Sequence, residues 1–462
     1  MTPRTARRRF VAVSVLYWLP VGLTIAPLIL LFTERGMALT AVAGFFAAHS
    51  LTAAALELPT GGLSDVIGRR TVLAAAGLLG LAAFTLQGLG TSAWVLTLGM
   101  ALMGAGRALS SGPAEAWYVD TVQAHSGPDA DLRTGLARAG TATSAALAAG
   151  TLLGGGLPWL LGLGPDLGAR LRAATSGLVL PLSVPSLLAA VLEVIYVLYV
   201  LTALPEPPRP RATLRGVLRG IPVTVGEGLR LGGRDALVRR ILLSAGAAGA
   251  ALAVLELLTP GRAADLTGAA ESGAVVFAGL ACAGFVCSAL GSHLAPLAAR
   301  VAGGGERAVL LSLGTGAVGL FLLGVTVVGA GAGTGALPLV GGVIGFGLVY
   351  LGLGAAGPNE NDLLHRRVTG AGRATALSVQ SLALQLVAAV GGLGASALPA
   401  GPTPWLLGGG ALLAGGALWA GWVGRGTVGS RAGRGARVSR GTPAPGESGP
   451  SAAGRGSARR PG

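Results

Sequence analysis

The chain has 462 residues, of which 34 are basic and 19 acidic, so charged residues make up only 11% at a net charge of +15; ordinary soluble domains carry about 25%. With 52% hydrophobic residues and a mean hydropathy of +0.68, the charged shell that a soluble chain of this length needs is missing. Soluble enzymes, disordered regulators and nucleic-acid binders are thereby excluded, the last because the basic residues lie between apolar stretches instead of on one compact patch.

Twelve apolar runs follow in chain order, each close to the ~20 residues a helix needs to cross about 30 Å of hydrocarbon. They cover residues 10–32, 40–58, 71–89, 94–119, 136–161 and 176–204, then 241–258, 273–297, 308–329, 336–364, 374–398 and 405–423. The expected fold is an all-α polytopic membrane protein of twelve transmembrane helices in two six-helix bundles. Gly77, Gly80, Gly150, Gly154, Gly391 and Gly394 are expected helix-packing positions, because small residues let membrane helices approach closely. The domains expected are a basic N-terminus (1–9), a first bundle (10–204), a basic linker (205–240), a second bundle (241–423) and a disordered basic tail (424–462). The linker opens on a proline-rich stretch and carries eight arginines; its part from Gly226 to Arg240 reads equally as an amphipathic surface helix, with Leu229, Leu231 and Leu237 towards lipid, or as a solvated connection.

Arginine counting orients the chain. With a cytoplasmic N-terminus the outer loops hold Arg35, Arg170, Arg172 and Arg262, whereas 21 arginines lie inside even after those from Arg425 onward are discounted. Both termini are therefore expected in the cytoplasm. The first apolar run lacks a small-x-small site, so no cleavable signal peptide is expected. Cys282 and Cys287 lie in one apolar run and form neither a disulfide framework nor a metal cluster. No Walker A loop, hydrolase set or metal cluster is present, so no catalytic activity, cofactor or metal is expected.

The two halves echo each other. Gly112-Pro113-Ala114-Glu115 ends the fourth run and Gly357-Pro358-Asn359-Glu360 the tenth, and the loop after run two starts Gly61-Gly62-Leu63 where that after run eight starts Gly291-Ser292-His293-Leu294. Internal half-repeats of this kind are a transporter trait.

The loop between runs two and three reads GGLSDVIGRRTVL. Gly61 and Gly68 permit a tight turn, Asp65 is its one acid, and Arg69 and Arg70 bring positive charge to the inner face. This resembles the signature loop of the major facilitator superfamily, with Gly61, Leu63, Asp65, Gly68, Arg69, Arg70 and Leu73 on the pattern and Val66 standing where the family usually has arginine. The resemblance covers residues 10 to about 423. It implies two six-helix bundles rocking about a central cavity by alternating access. It also implies a cytoplasmic gate cluster in which Asp65 and Arg69 meet Asp120 on the fourth helix, near Arg373 at the start of the eleventh. The run GRALSSGPAEAWYVD is similar to the arginine-bearing fourth helix of the drug–proton antiporter branch, although Gly112 falls five residues after Arg107. Run five, GTLLGGGLPWL, lacks that branch's Gly-Pro pair.

Ionisable and amide side chains inside apolar runs are costly and mark function or satisfied packing. Arg107 in run four needs an acidic partner or a water-filled cavity. His49 in run two titrates near neutral pH when unperturbed, or is a hydrogen-bonded core histidine. Glu193 in run six, one turn from Tyr196, is the preferred proton carrier. Glu57 and Glu256 fall near run ends, Gln380 and Gln385 line a cavity or bind a helix, and Tyr17 on run one faces the cavity or packs. The function expected is a secondary active transporter in a bacterial inner (plasma) membrane. It is read as monomeric and bilayer-embedded, exporting small amphipathic or drug-like molecules in exchange for protons. The alternatives are a metabolite uptake permease and a non-transporting scaffold or sensor of the same fold.

Overall fold

The computed structural model describes residues 1–61, 63–127, 130–206, 226, 230, 232–328, 336–367 and 371–435. It divides into one compact unit, Met1–Ala420, and a second, Gly421–Gly462. Among the described residues every regular element is helical: α1 Pro3–Ile25, α2 Leu28–Glu34, α3 Leu39–Gly61, α4 Leu63–Ile67, α5 Arg69–Leu89, α6 Ala93–Ser110, α7 Pro113–Ser126, α8 Arg133–Leu161, α9 Leu167–Ala174 and α10 Val184–Ala203 in the first half. The second half has α11 Ala236–Thr267, α12 Ala270–Ala302, α13 Gly305–Val328, α14 Ala336–Arg367, α15 Ala371–Ala397 and α16 Thr403–Gly435. Among the described residues, eleven helical stretches are long and apolar enough to cross a membrane, and they coincide with the first eleven apolar runs. The twelfth run forms α16, which falls outside that set.

Three expectations change. The first run is not one helix: α1 stops at Ile25 and α2 restarts after Pro27, since Pro27 has no N–H to donate to the carbonyl four residues before it. The fourth run breaks too, because Gly112 takes a φ of 91° and Pro113 starts α7, a first-turn position where its missing N–H costs nothing. In the second half the matching Pro358 lies inside an unbroken α14. Pro358 cannot donate to the carbonyl of Gly354, and the Ser292 hydroxyl of α12 donates to it instead, at 2.9 Å. Third, the basic ends are helical further than composition suggests: α1 begins at Pro3, with Thr2 Oγ1 accepting from Thr5 N–H, and α16 continues through residues 424–435, because extending a helix is far easier than nucleating one. Residues 436–462, and Leu229 and Leu231 of the linker, lie outside the described residues.

Each half repeats the same close approaches. In the first, α1 meets α8 where Gly154 sits against the Leu23 carbonyl, and α3 meets α6 where Gly104 sits against the His49 carbonyl. In the second, α11 meets α15 at Gly249 and the Leu384 carbonyl, while α12 meets α14 at Gly291 and the Leu351 carbonyl. The halves join through α3 with α15 and α8 with α12; Gly155 of α8 packs on Ala274 and Ala278, and the Cys282 thiol faces the Ala148 carbonyl at 3.5 Å. Of the expected packing glycines, Gly77 abuts Tyr196 and Val197, Gly80 abuts Glu193, and Gly391 abuts Ala250, but Gly394 faces open space.

A Cβ on Gly154 would overlap the Leu23 backbone, which has no side-chain freedom with which to yield. Gly154→Leu is therefore expected to cost about 3 kcal/mol and to lose the monodisperse peak in detergent size exclusion. Gly156→Ala, two residues on and facing open space, should leave the melting temperature unchanged.

At the α11 N-terminus, Asp235 Oδ1 accepts from Leu237 N–H at 2.8 Å and Val238 N–H at 3.3 Å, and its Oδ2 accepts from Arg367 Nε at 2.6 Å. Burial pushes its pKa up, but the bonds from Arg367, Leu237 and Val238 outweigh that and hold the carboxyl below its usual value. A depressed folded-state pKa adds stability above the unfolded value of about 3.9, and that stability is lost as pH falls through the folded value. Asp235→Asn keeps a capping oxygen but loses the charge that meets Arg367 and the α11 dipole, and should lower stability by about 1 kcal/mol at pH 7. The gap from wild type should close as pH falls below the unfolded value and through the depressed folded one, as read by thermal unfolding across the pH range.

Candidate functional site

Between the two halves lies a cavity of about 360 Å³. Its walls are α2 (Leu28, Ile29), α3 (Phe46, His49, Ser50), α6 (Met100, Met103, Arg107), α11 (Leu252, Glu256, Leu257) and α15 (Leu384, Gln385). Most of this lining is apolar, and the polar groups are few, as in sites that orient a small ligand. Behind the α6 wall, the buried Gln87 of α5 directs its Nε2 at the sulfurs of Met100 and Met103, at 3.3 and 3.4 Å, and so holds both thioethers in place.

Arg107 lies one turn before the end of α6, and Glu256 lies well inside α11, eleven residues before its last residue. Both are exposed even though the helices that carry them are packed in the protein interior. They are exposed because they project into the cavity, Arg107 from the first half and Glu256 from the second. His49 also lines it, and its Nδ1 is buried without a hydrogen-bond partner.

Glu57 stands about two turns beyond Ser50 on α3. Its Oε2 accepts from Ser381 Oγ at 3.2 Å and from Gln385 Nε2 at 3.0 Å, both on α15, and Gln385 Nε2 also reaches Ser381 Oγ at 3.1 Å. This network ties the first half to the second beside the cavity, and Gln385 belongs to both.

Beyond the network lies the end of the molecule where α3 turns through α4 into α5. Gly68 caps α5 with a φ of 102°, a conformation that favours glycine. The Arg69 guanidinium pairs with Asp120 of α7 and donates to the Ala116 carbonyl at 2.6 Å. Glu206, at the start of the linker, accepts from the backbone N–H groups of Arg69 and Arg70 at 2.9 and 3.2 Å. A carboxylate there satisfies the free amides of the α5 N-terminus and complements its dipole. Trp117 Nε1 anchors the same segment by donating to the Pro205 carbonyl at 2.8 Å. The side chains of Asp65 and Arg373 lie outside the described residues.

The structure thus brings Arg107, His49 and Gln385 together on one cavity and puts Glu57 at its edge. Glu256, expected near a run end, joins them because α11 runs on to Thr267, well past the run's expected limit. Glu193 does not line the cavity. It is buried between α10 and α5 against Gly80, with Oε2 unpartnered. Tyr196, Tyr17 and Trp18 form a ring cluster beside it, with centroids 5.6 Å apart for Tyr17–Tyr196 and 5.4 Å for Tyr17–Trp18. Gln380 reaches Glu360 Oε2 at 3.4 Å, away from the cavity. Sequence reasoning missed the acceptor role of Glu206, the donor role of Ser381 and the burial of Glu360; for Glu360 a signal existed, a carboxyl inside an apolar helix, but it was absorbed by the half-repeat.

No family model matches the chain, and no curated protein matches its sequence. Solved structures share its architecture. The nucleoside transporter NupG superposes with a TM-score of 0.67 at 12% identity, over 90% of this chain and 98% of that one. A bacterial homolog of the human lysosomal transporter Spinster, solved inward-facing and unoccupied, gives 0.64 at 15% identity, over 90% and 95%. A POT family transporter in complex with 5-aminolevulinic acid gives 0.62 at 13% identity, over 89% and 94%. The chain shares the fold of these transporters.

Proposed function

We propose that the protein is a secondary active transporter working by alternating access, with the cavity between its halves as the substrate site. The observation that carries this reading is the pair of opposite charges, Arg107 and Glu256, exposed from different halves into one cavity. Such groups are expensive within a bilayer and mark substrate or ion pathways. The resemblance of the fourth helix to the drug–proton antiporter branch supports export of small amphipathic compounds against protons as the direction. Uptake is the alternative, and the sign of the flux separates the two. The network of Glu57 with Ser381 and Gln385 would hold the two halves together at one end in one of the two states, and the cluster of Gly61, Asp65, Gly68, Arg69, Arg70 and Asp120 would act as the gate beside it on the first half.

The proton carrier we propose is Glu256 in place of Glu193. A coupling carboxyl must meet both the substrate and the aqueous path, and Glu256 faces the cavity while Glu193 is buried in a helix interface. Purified protein in liposomes with an internal pH dye tests this. A panel of amphipathic solutes should include compounds that drive proton movement through wild-type protein. Glu256→Gln should abolish that movement, and Glu193→Gln should retain it. Undiminished proton movement in Glu256→Gln would remove Glu256 from the cycle, and no solute-driven flux of either sign in wild type would refute the transporter reading.

A further inference from the structure

We infer that the cavity is a binding site for a small zwitterion, a molecule carrying one anionic and one cationic group on an apolar body, with its anion on Arg107 and its cation on Glu256. The inference builds on the transporter reading only in calling that molecule a substrate. The binding site itself follows from charge and shape.

Among the described residues, neither the Arg107 guanidinium nor the Glu256 carboxylate has a hydrogen-bond or ion-pair partner, although both line the same cavity. Two opposite charges this deep in an apolar helical assembly would ordinarily be paired with each other. Here they face the same cavity from opposite halves, near enough for the Arg107 charge to act on Glu256, without closing an ion pair. A singly charged ligand would neutralise one and leave the other desolvated and unpaired, which costs more than the new contact returns. A neutral ligand would leave both. While Glu256 is deprotonated, only a ligand bearing both charges satisfies the two walls at once, and it would draw the halves together, since each charge belongs to a different half. An inorganic ion pair would supply the charges but not fill the apolar remainder formed by Leu28, Met100, Met103 and Leu252.

A volume of about 360 Å³ suits a molecule of amino-acid to dipeptide size and excludes large drugs. The two bound charges lie on different helices, so the separation of the ligand's own charges is a matter for experiment. Two matched sets of probes cover it. One comprises L-phenylalanine, N-acetyl-L-phenylalanine, L-phenylalaninamide and N-acetyl-L-phenylalaninamide; the other is the same four forms of L-alanyl-L-phenylalanine. Each set holds the apolar body constant and presents a zwitterion, an anion, a cation and a neutral molecule.

Binding is measured by calorimetry on the full chain purified in detergent, for wild type, Arg107→Gln and Glu256→Gln. In at least one set the zwitterion should bind wild type tenfold or more tighter than the other three forms. Glu256→Gln should erase its advantage over the anion while keeping its advantage over the cation, and Arg107→Gln should do the reverse. Equal affinity for all four forms, preference for a single-charge form, or no binding in either set would overturn the assignment. The wild-type ranking alone decides this if a variant fails to fold. The transporter reading is judged separately, by movement of the same probes across liposomes. A zwitterion that binds but does not cross leaves the site assignment standing and refutes transport, whereas transport of other solutes with no zwitterion preference refutes the site assignment and leaves transport standing.

Discussion

Arg107→Gln is expected to cut transport of any accepted substrate by about a hundredfold while leaving the protein at least as stable as wild type. A hydrogen bond to a charged group contributes about 1.5–3 kcal/mol, and every ~1.4 kcal/mol is a factor of ten, so a guanidinium making two such bonds to a ligand accounts for that loss. Its cost to the empty protein runs the other way. An unpaired arginine in a spanning helix is unfavourable by up to roughly 3 kcal/mol, the value at a helix centre on insertion scales, and glutamine removes the charge without leaving a void. The test pairs a flux assay with thermal unfolding in detergent. Activity and stability falling together would mean that Arg107 is held by contacts within the protein and has a structural role.

The second large effect concerns the Glu57 network. Glu57→Ala removes two hydrogen bonds to a carboxylate, from Ser381 and Gln385, which cross from one half to the other. Their combined loss is worth about 3 kcal/mol, enough to shift a two-state equilibrium roughly a hundredfold towards the conformation in which α3 and α15 separate at that end. Spin labels near the ends of α3 and α15 should show a longer distance distribution in the variant. Ser381→Ala, which removes one bond, should give a smaller shift in the same direction, and Glu57→Gln, which keeps an acceptor but loses the charge, should fall between. An unchanged distribution in Glu57→Ala would mean the halves are held by apolar packing alone. If the gap opens and transport falls, the carboxylate is a latch between the states. Because Gln385 both lines the cavity and donates to Glu57, a ligand engaging it competes with the latch, which gives a physical route from binding to opening.

What the sequence by itself determined is whatever depends on neighbouring residues. Low charge content and runs of about twenty apolar residues specify spanning helices, and the first eleven of those runs are helices in the structure. The half-repeat marks corresponding places in the two halves, with Gly112-Pro113 and Gly357-Pro358 at α7 and α14, and the signature loop places Arg69 where it pairs with Asp120. Tertiary structure decided what a helix face meets. Glu193 and Glu256 look alike in sequence, each a lone carboxyl in an apolar stretch. One is buried because the glycine at position 80 lets α5 close over it, and the other is exposed because α11 and α6 diverge around the cavity. Glu57 looked like an end residue reaching for water, and it accepts from α15, more than three hundred residues away. Hydropathy is averaged along one helix, so it carries the cost of leaving water but not the direction in which a side chain points relative to helices from the other half. That direction comes from crossing angles set by glycine contacts, and with it comes the difference between a packed carboxyl and one that faces a ligand.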